Sequence, residues 1–133
     1  MKTKILVIDD EEVILEVMQR ILQRNGYEVY VCATAVEALE FSGEHLPNLI
    51  ISDYNLSELS NGVDLALSIR RLTKKEIPVI IMSGSRHYRH DARTNEFEFI
   101  KKPLDRMKLT ALVESQLLET KSTSTESLRE GLW

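Results

Sequence analysis

Short, wholly apolar runs alternate along most of the chain with longer stretches whose apolar residues recur every three or four positions. Ile5-Leu6-Val7-Ile8 is a strand-like run that ends abruptly at Asp9-Asp10. Val13, Ile14, Val17, Met18, Ile21 and Leu22 then keep the spacing of one helix face, and Asn25-Gly26 supplies residues that tolerate a left-handed helix end. Tyr27 to Cys32 reads as a second strand. Thr34-Ala35-Val36-Glu37 has the form of a capping box and predicts a second helix to about His45. Pro47-Asn48 breaks the chain before the strand Leu49-Ile50-Ile51-Ser52, which again ends in an acid, Asp53. After a Ser/Asn/Gly-rich loop, Leu65, Ala66, Ile69 and Leu72 mark a third helix. Pro78 opens the strand Val79-Ile80-Ile81-Met82, which ends at Ser83-Gly84-Ser85. Phe97 to Lys101 reads as a fifth strand, and Leu104 to about Glu119 as the last helix. Between the last two strands, residues 86–96 are polar, and only Tyr88 and Ala92 are placed to face a core.

Strands that are apolar throughout, rather than alternating, belong to a parallel sheet covered on both faces, so the pattern predicts an α/β fold with a doubly wound five-stranded sheet. The chain has 133 residues, enough for one core, and shows neither an internal repeat nor a second domain. Residues 1–120 are expected to form the domain and 121–133, rich in Ser, Thr and Glu, a flexible tail ending in Trp133. With 17 basic and 21 acidic residues the formal charge is -4, which does not suit a globally basic nucleic-acid binder. One cysteine, Cys32, cannot form an internal disulfide, and no apolar run reaches the ~18 residues of a membrane span. A cytoplasmic location is expected, with no membrane partner. Too few residues follow the last helix for a DNA-reading module, so no direct DNA binding is expected from this chain.

In such sheets, sites form beyond the carboxyl ends of the strands. The first strand ends in Asp9-Asp10, the third in Asp53, the fourth in Ser83 and the fifth in Lys101-Lys102-Pro103. Three carboxylates brought to one rim repel one another and call for a cation. Hard oxygen donors suit Mg²⁺ or Mn²⁺, and a lysine beside them supplies a point charge for a phosphoryl oxygen. The plainer alternative for Asp9 and Asp10 is helix capping, which leaves Asp53 unexplained. The set points to phosphoryl chemistry on an aspartate. A phosphatase with an aspartyl nucleophile is disfavoured because Asp9-Asp10-Glu11-Glu12 lacks the Asp-x-Asp such enzymes carry. A Gly-x4-Gly-Lys-Ser/Thr phosphate loop is also absent. His45, His87 and His90 show no zinc-ligand spacing.

Taken in order, Asp9-Asp10, Asp53, Ser83-Gly84 and Lys102-Pro103, each after its strand, resemble the response-regulator receiver domains of two-component signalling, over about residues 3–119. The resemblance implies the flavodoxin-like strand order 2-1-3-4-5. It implies that Asp53 accepts a phosphoryl group from a sensor histidine kinase or histidine phosphotransfer protein, acting as a switch rather than a turnover enzyme. Asp10, Asp53 and the backbone carbonyl of Asn55 would hold Mg²⁺, with Asp9 acting through water. Ser83 and Lys102 would contact phosphoryl oxygens, and the Lys102-Pro103 bond would be cis. Ser83 and Phe99 would form the switch that reshapes the face made by the fourth helix, the fifth strand and the fifth helix for a downstream protein target. Adjacent strand residues point to opposite faces, so Lys101 is left as a rim charge. The alternative is a receiver-fold interaction module that takes no phosphoryl group.

Two departures from the family pattern stand out. The loop after Asp53 lacks the usual proline, and Gly62 stands nine residues on, one later than usual, which suggests a one-residue insertion. Ser83 and Lys102 are 19 residues apart, a few short of the usual spacing, so the fourth helix is expected to be short or irregular. That segment is also basic: Arg86, His87, Arg89, His90 and Arg93 stand against Asp91. Docking of an acidic partner or phosphate is one reading; solvated loop charges are the plainer and favoured one.

Overall fold

Each of the five apolar runs becomes one strand of a single sheet: β1 (Lys4–Ile8), β2 (Glu28–Cys32), β3 (Leu49–Asp53), β4 (Val79–Ser83) and β5 (Glu98–Lys101). The computed structural model describes residues 2–57 and 60–130. The strands are all parallel and lie in the order β2-β1-β3-β4-β5, as the resemblance implies. Every residue of β3 and β4 is buried, as are Ile5 to Ile8 of β1.

Because side chains alternate along a strand, each central strand feeds two cores. Leu6, Ile8, Ile50 and Ile81 face one layer, which is filled by Ala38 of α2 (Ala35–Glu44) and by Val63, Leu65, Ala66 and Ile69 of α3 (Gly62–Thr73). Ile5, Val7, Ile51, Ile80 and Met82 face the other, against Leu15, Met18 and Leu22 of α1 (Glu12–Arg24) and Leu109 and Val113 of α5 (Arg106–Glu130). This is the doubly wound arrangement expected of apolar parallel strands. No helix among the described residues is long and apolar enough to cross a membrane.

Local signals explain most boundaries. Gly26, with φ +90°, follows α1 and takes the left-handed turn that a side chain would resist. The Thr34 hydroxyl accepts from the Glu37 N–H at 3.1 Å, so Thr34 caps α2 as expected, while the Glu37 carboxylate reaches one residue past the cap and accepts from the Ala33 N–H at 3.3 Å. The Asp105 carboxylate accepts from the N–H groups of Met107 and Lys108, which starts α5 two residues later than Leu104. Helical backbone continues to Glu130, past the Glu119 end set by the apolar spacing, because no Gly or Pro interrupts residues 106–130. The expected tail 121–133 therefore begins within this helix, and its end, including Trp133, lies outside the described residues.

The two departures have visible consequences. After β3 the chain forms a small antiparallel ribbon, Asn55–Ser57 with Ser60–Asn61, whose register shifts between Asn55 and Ser57. An extra residue in a ribbon is absorbed by such a shift, and the loop expected there is replaced by pairing. The fourth helix is a 3₁₀ turn, Arg86–Tyr88, followed by the six residues of α4 (Arg89–Thr94), of which only Ala92 is buried.

Gly62 opens α3 directly over the end of β3. A Cβ built there would stand 2.3 Å from the Asp53 carbonyl oxygen and 2.9 Å from Ser52 Oγ. A Gly62→Ala substitution is expected to cost about 2 kcal/mol in urea unfolding, as overpacking against backbone does. At Gly84 an added Cβ meets nothing within 4 Å, so Gly84→Ala should stay within about 0.5 kcal/mol of wild type. Equal effects at the two glycines would contradict this packing.

Candidate functional site

Parallel strands deliver their carboxyl ends to one rim, and the acids at those ends meet there. Asp9 follows β1 and is 0 % exposed, Asp10 is exposed, and Asp53, the last residue of β3, is 6 % exposed. Carboxylate oxygens of all three lie within 4.8 Å of one another. Lys102 reaches in from the end of β5. Its Nζ is 2.7 Å from Asp9 Oδ2, 3.4 Å from Asp53 Oδ1 and 3.6 Å from Glu11 Oε1. The Lys102-Pro103 peptide is cis, and the Lys102 N–H donates to the Ser83 carbonyl at 2.8 Å. Lys101 is exposed, whereas Lys102 is half-buried, as alternation requires.

Ser83, at the end of β4, is buried; its Oγ accepts from the Ser85 N–H at 3.1 Å. The hydroxyl proton is left to point elsewhere. Asn55 begins the ribbon two residues past Asp53, opposite Asn61, with its side chain exposed. Phe99 stands apart from the acids, half-buried against the core layer that holds α2 and α3. Asp9 also accepts from the Glu11 N–H at 2.9 Å, a local turn bond ahead of α1, whose N-cap, Glu11, makes no side-chain capping hydrogen bond.

Two contributors were not singled out by residue pattern. Glu11 adds a third carboxylate around Lys102; its only signal is its place after the acid pair. Tyr54, directly after Asp53, stacks on Tyr88 with centroids 3.9 Å apart, and its hydroxyl donates to Asp91 Oδ2 at 2.9 Å. Burial first, then the Asp91 bond and nearby acids, push its pKa up to about 12. An open cleft of about 520 Å³ bordered by Leu46, Arg70, Ile77, Pro78 and Glu96 lies at the opposite ends of the strands and contains none of these residues.

Burial, and next the charge of Asp9, push the Asp53 carboxyl up to about 6 from 3.8; Lys102 opposes them, and Asp10 adds to the rise. For Lys102, burial favours the neutral amine, but the Asp9 hydrogen bond and the charges of Asp53, Asp9 and Glu11 outweigh it, so its pKa is raised and it stays charged. With Glu11 counted, four carboxylates stand against one ammonium and leave the pocket with an excess of negative charge. Hard oxygens at this separation, with Asp10 open to solvent, fit a divalent cation that keeps some of its waters.

Because the folded chain holds the Asp53 proton more tightly than the unfolded chain does, this residue favours folding only at low pH. That contribution is present below about pH 4 and is lost as pH rises through about 6. In chelator, Asp53→Asn is expected to gain on the order of 2 kcal/mol in urea unfolding at about pH 7.5, and nothing below about pH 4. A loss at the higher pH, or the same gain at both, would refute the electrostatic account.

A family model described as the response regulator receiver domain matches residues 5–114. Among curated proteins, the DNA-binding transcriptional regulator NtrC of Bradyrhizobium is 29% identical over 130 residues, covering 96% of this chain and 27% of that protein. The transcriptional regulatory protein PrrA of Mycobacterium tuberculosis is 30% identical over 129 residues, 93% of this chain and 54% of that protein. This chain thus spans from about a quarter to about half of these two relatives. Among solved structures, a CheY-like receiver domain protein from Methanospirillum hungatei superposes with a TM-score of 0.83 at 26% identity, over 92% of this chain and 99% of that one. NtrX from Brucella abortus does so with a TM-score of 0.85 at 27% identity, over 96% of this chain and 29% of that one. The chain belongs to the response regulator receiver domain family, the phosphorylation-controlled module of two-component signal transduction.

Proposed function

We propose that Asp53 is the phosphoacceptor of a cytoplasmic signalling switch, receiving its phosphoryl group from a sensor histidine kinase or a histidine phosphotransfer protein. The observation that carries this reading is a buried carboxylate, Asp53, held between two other acids and 3.4 Å from a lysine ammonium. One Asp53 oxygen attacks phosphorus. The phosphorus–nitrogen bond of the donor phosphohistidine breaks, and its electron pair stays on the imidazole. Lys102 Nζ, already beside the attacking carboxylate, donates to a phosphoryl oxygen, and the Ser83 hydroxyl, whose proton is not used by Ser85, donates to another.

Asp10, Asp53 and the Asn55 carbonyl would hold Mg²⁺, with Mn²⁺ as a substitute and Asp9 acting through water; a cation there would supply charge neutralisation. Ser83 and Phe99 form the switch, and the altered face is that of α4, β5 and α5, presented to a downstream protein target. Residues 1–120 are assigned as the working unit and 121–133 as its appendage. The protein transmits a state and is not a turnover enzyme.

The test is intact mass after incubation with Mg²⁺ and acetyl phosphate. One phosphoryl adduct is expected, absent with chelator and absent in Asp53→Ala. In Lys102→Ala the adduct should accumulate about 100-fold more slowly, the order of effect of removing one donor aimed at developing charge. If wild type forms no adduct, and beryllofluoride with Mg²⁺ leaves its thermal midpoint unchanged, the acceptor reading fails and an interaction module with a receiver fold replaces it.

A further inference from the structure

The segment between β4 and β5 presents its basic residues to solvent. Arg86, His87, Arg89, His90 and Arg93 are all exposed. Among the described residues, the ion pairs within 4 Å are those of Lys102, so none of the three arginines meets a carboxylate. Of the two acids between these strands, Glu96 lies beyond the end of α4, and Asp91 is turned inward and accepts from the Tyr54 hydroxyl at 2.9 Å. The outward face of residues 86–93 is therefore basic, on a chain whose formal charge is -4. On α1, by contrast, exposed Glu16 precedes exposed Arg20 by one helical turn.

The segment is also anchored in a way its own helix cannot provide. Six residues that bury one alanine do not hold a helix in place. The Tyr54–Tyr88 stack and the Tyr54–Asp91 hydrogen bond fix it to the residue that follows Asp53. Arg89 and Arg93 stand four residues apart, so they project from one side of α4 about 6 Å apart at Cβ, with Arg86 in the preceding turn. Guanidinium groups carried at that spacing on an anchored helix can match carboxylates on alternate residues of an extended segment or on successive turns of a helix.

We propose that this surface is a docking site for an acidic segment of a protein partner. The proposal deepens the assigned output face by naming the chemistry of what binds there, and it rests on that reading for its place in signalling. Acidic protein is favoured over nucleic acid by the neighbouring three-carboxylate pocket and the overall negative charge, both of which repel a polyanionic backbone that extends past a few contacts.

The experiment titrates the full chain, free of metal and phosphoryl donor, into a fluorescein-labelled ten-residue peptide carrying glutamate at alternate positions, at low salt. A glutamine version of the peptide serves as reference. The acidic peptide is expected to bind at least about tenfold more tightly than the reference, and Arg89→Glu with Arg93→Glu to weaken it about tenfold. Arg20→Glu with Arg24→Glu, an exposed pair at the same spacing on α1, should leave it nearly unchanged. Thermal midpoints matching wild type establish that the variants fold. Equal affinity for both peptides, equal loss in the two double variants, or equally tight binding of a ten-nucleotide oligothymidine would overturn the proposal. None of these outcomes depends on phosphorylation, so failure here leaves the Asp53 adduct untouched, and failure of that adduct leaves this binding to be read on its own.

Discussion

The ammonium of Lys102 lies between Asp9 and Asp53, and the rest of the rim is organised around that contact. Two nearly buried carboxylates at the ends of adjacent strands repel each other, and burial removes the water that would screen them. Burial first, and then the charge of Asp9, make Asp53 hold its proton more tightly than an exposed aspartate does, and a single lysine offsets only part of this. The fold tolerates the imbalance because the strands beneath are apolar, buried on both faces and fixed in register. A site that is electrostatically unfinished in the bare protein is one that responds strongly when a cation or phosphoryl group arrives.

Much of this was legible in the chain. The runs Ile5–Ile8, Leu49–Ser52 and Val79–Met82 carry no polar interruption, and only a doubly covered parallel sheet buries such strands. Once they are parallel, the acids that end them must share a rim, and that brings Asp9, Asp10 and Asp53 together without knowledge of any side-chain position. Lys102 followed from its place before Pro103 in the family pattern, and alternation separates it from Lys101. The strand order came from the resemblance, since hydrophobic pattern does not encode which strands are neighbours.

What pattern did not disclose depends on contacts across the fold. Tyr54 reads as one more residue after an acid, and its partners Tyr88 and Asp91 are more than thirty residues away. The ribbon at Asn55–Ser57 is too short for periodicity to register, and its shifted pairing is the physical form of the extra residue ahead of Gly62. Gly62 itself is required by a close approach to the Asp53 carbonyl, which no local rule anticipates. The end of α5 was placed where the apolar stripe stops, but a helix ends at a breaker, and none occurs before Gly131. The shortened α4, by contrast, was visible twice over, in the spacing from Ser83 to Lys102 and in the missing apolar stripe.

These pieces link the site to its surroundings through backbone rather than through long side chains. Gly62 rests on the Asp53 carbonyl, Lys102 is tied to Ser83, and Tyr54 couples the residue after Asp53 to α4. The central claim is that the acidic rim carries an excess negative charge which a divalent cation neutralises. Thermal unfolding followed as Mg²⁺ is added to the chelated protein at neutral pH tests it most directly. The midpoint is expected to rise with Mg²⁺ in wild type and not in Asp10→Asn. A wild-type midpoint unmoved by millimolar Mg²⁺, or an equal rise in Asp10→Asn, would contradict it.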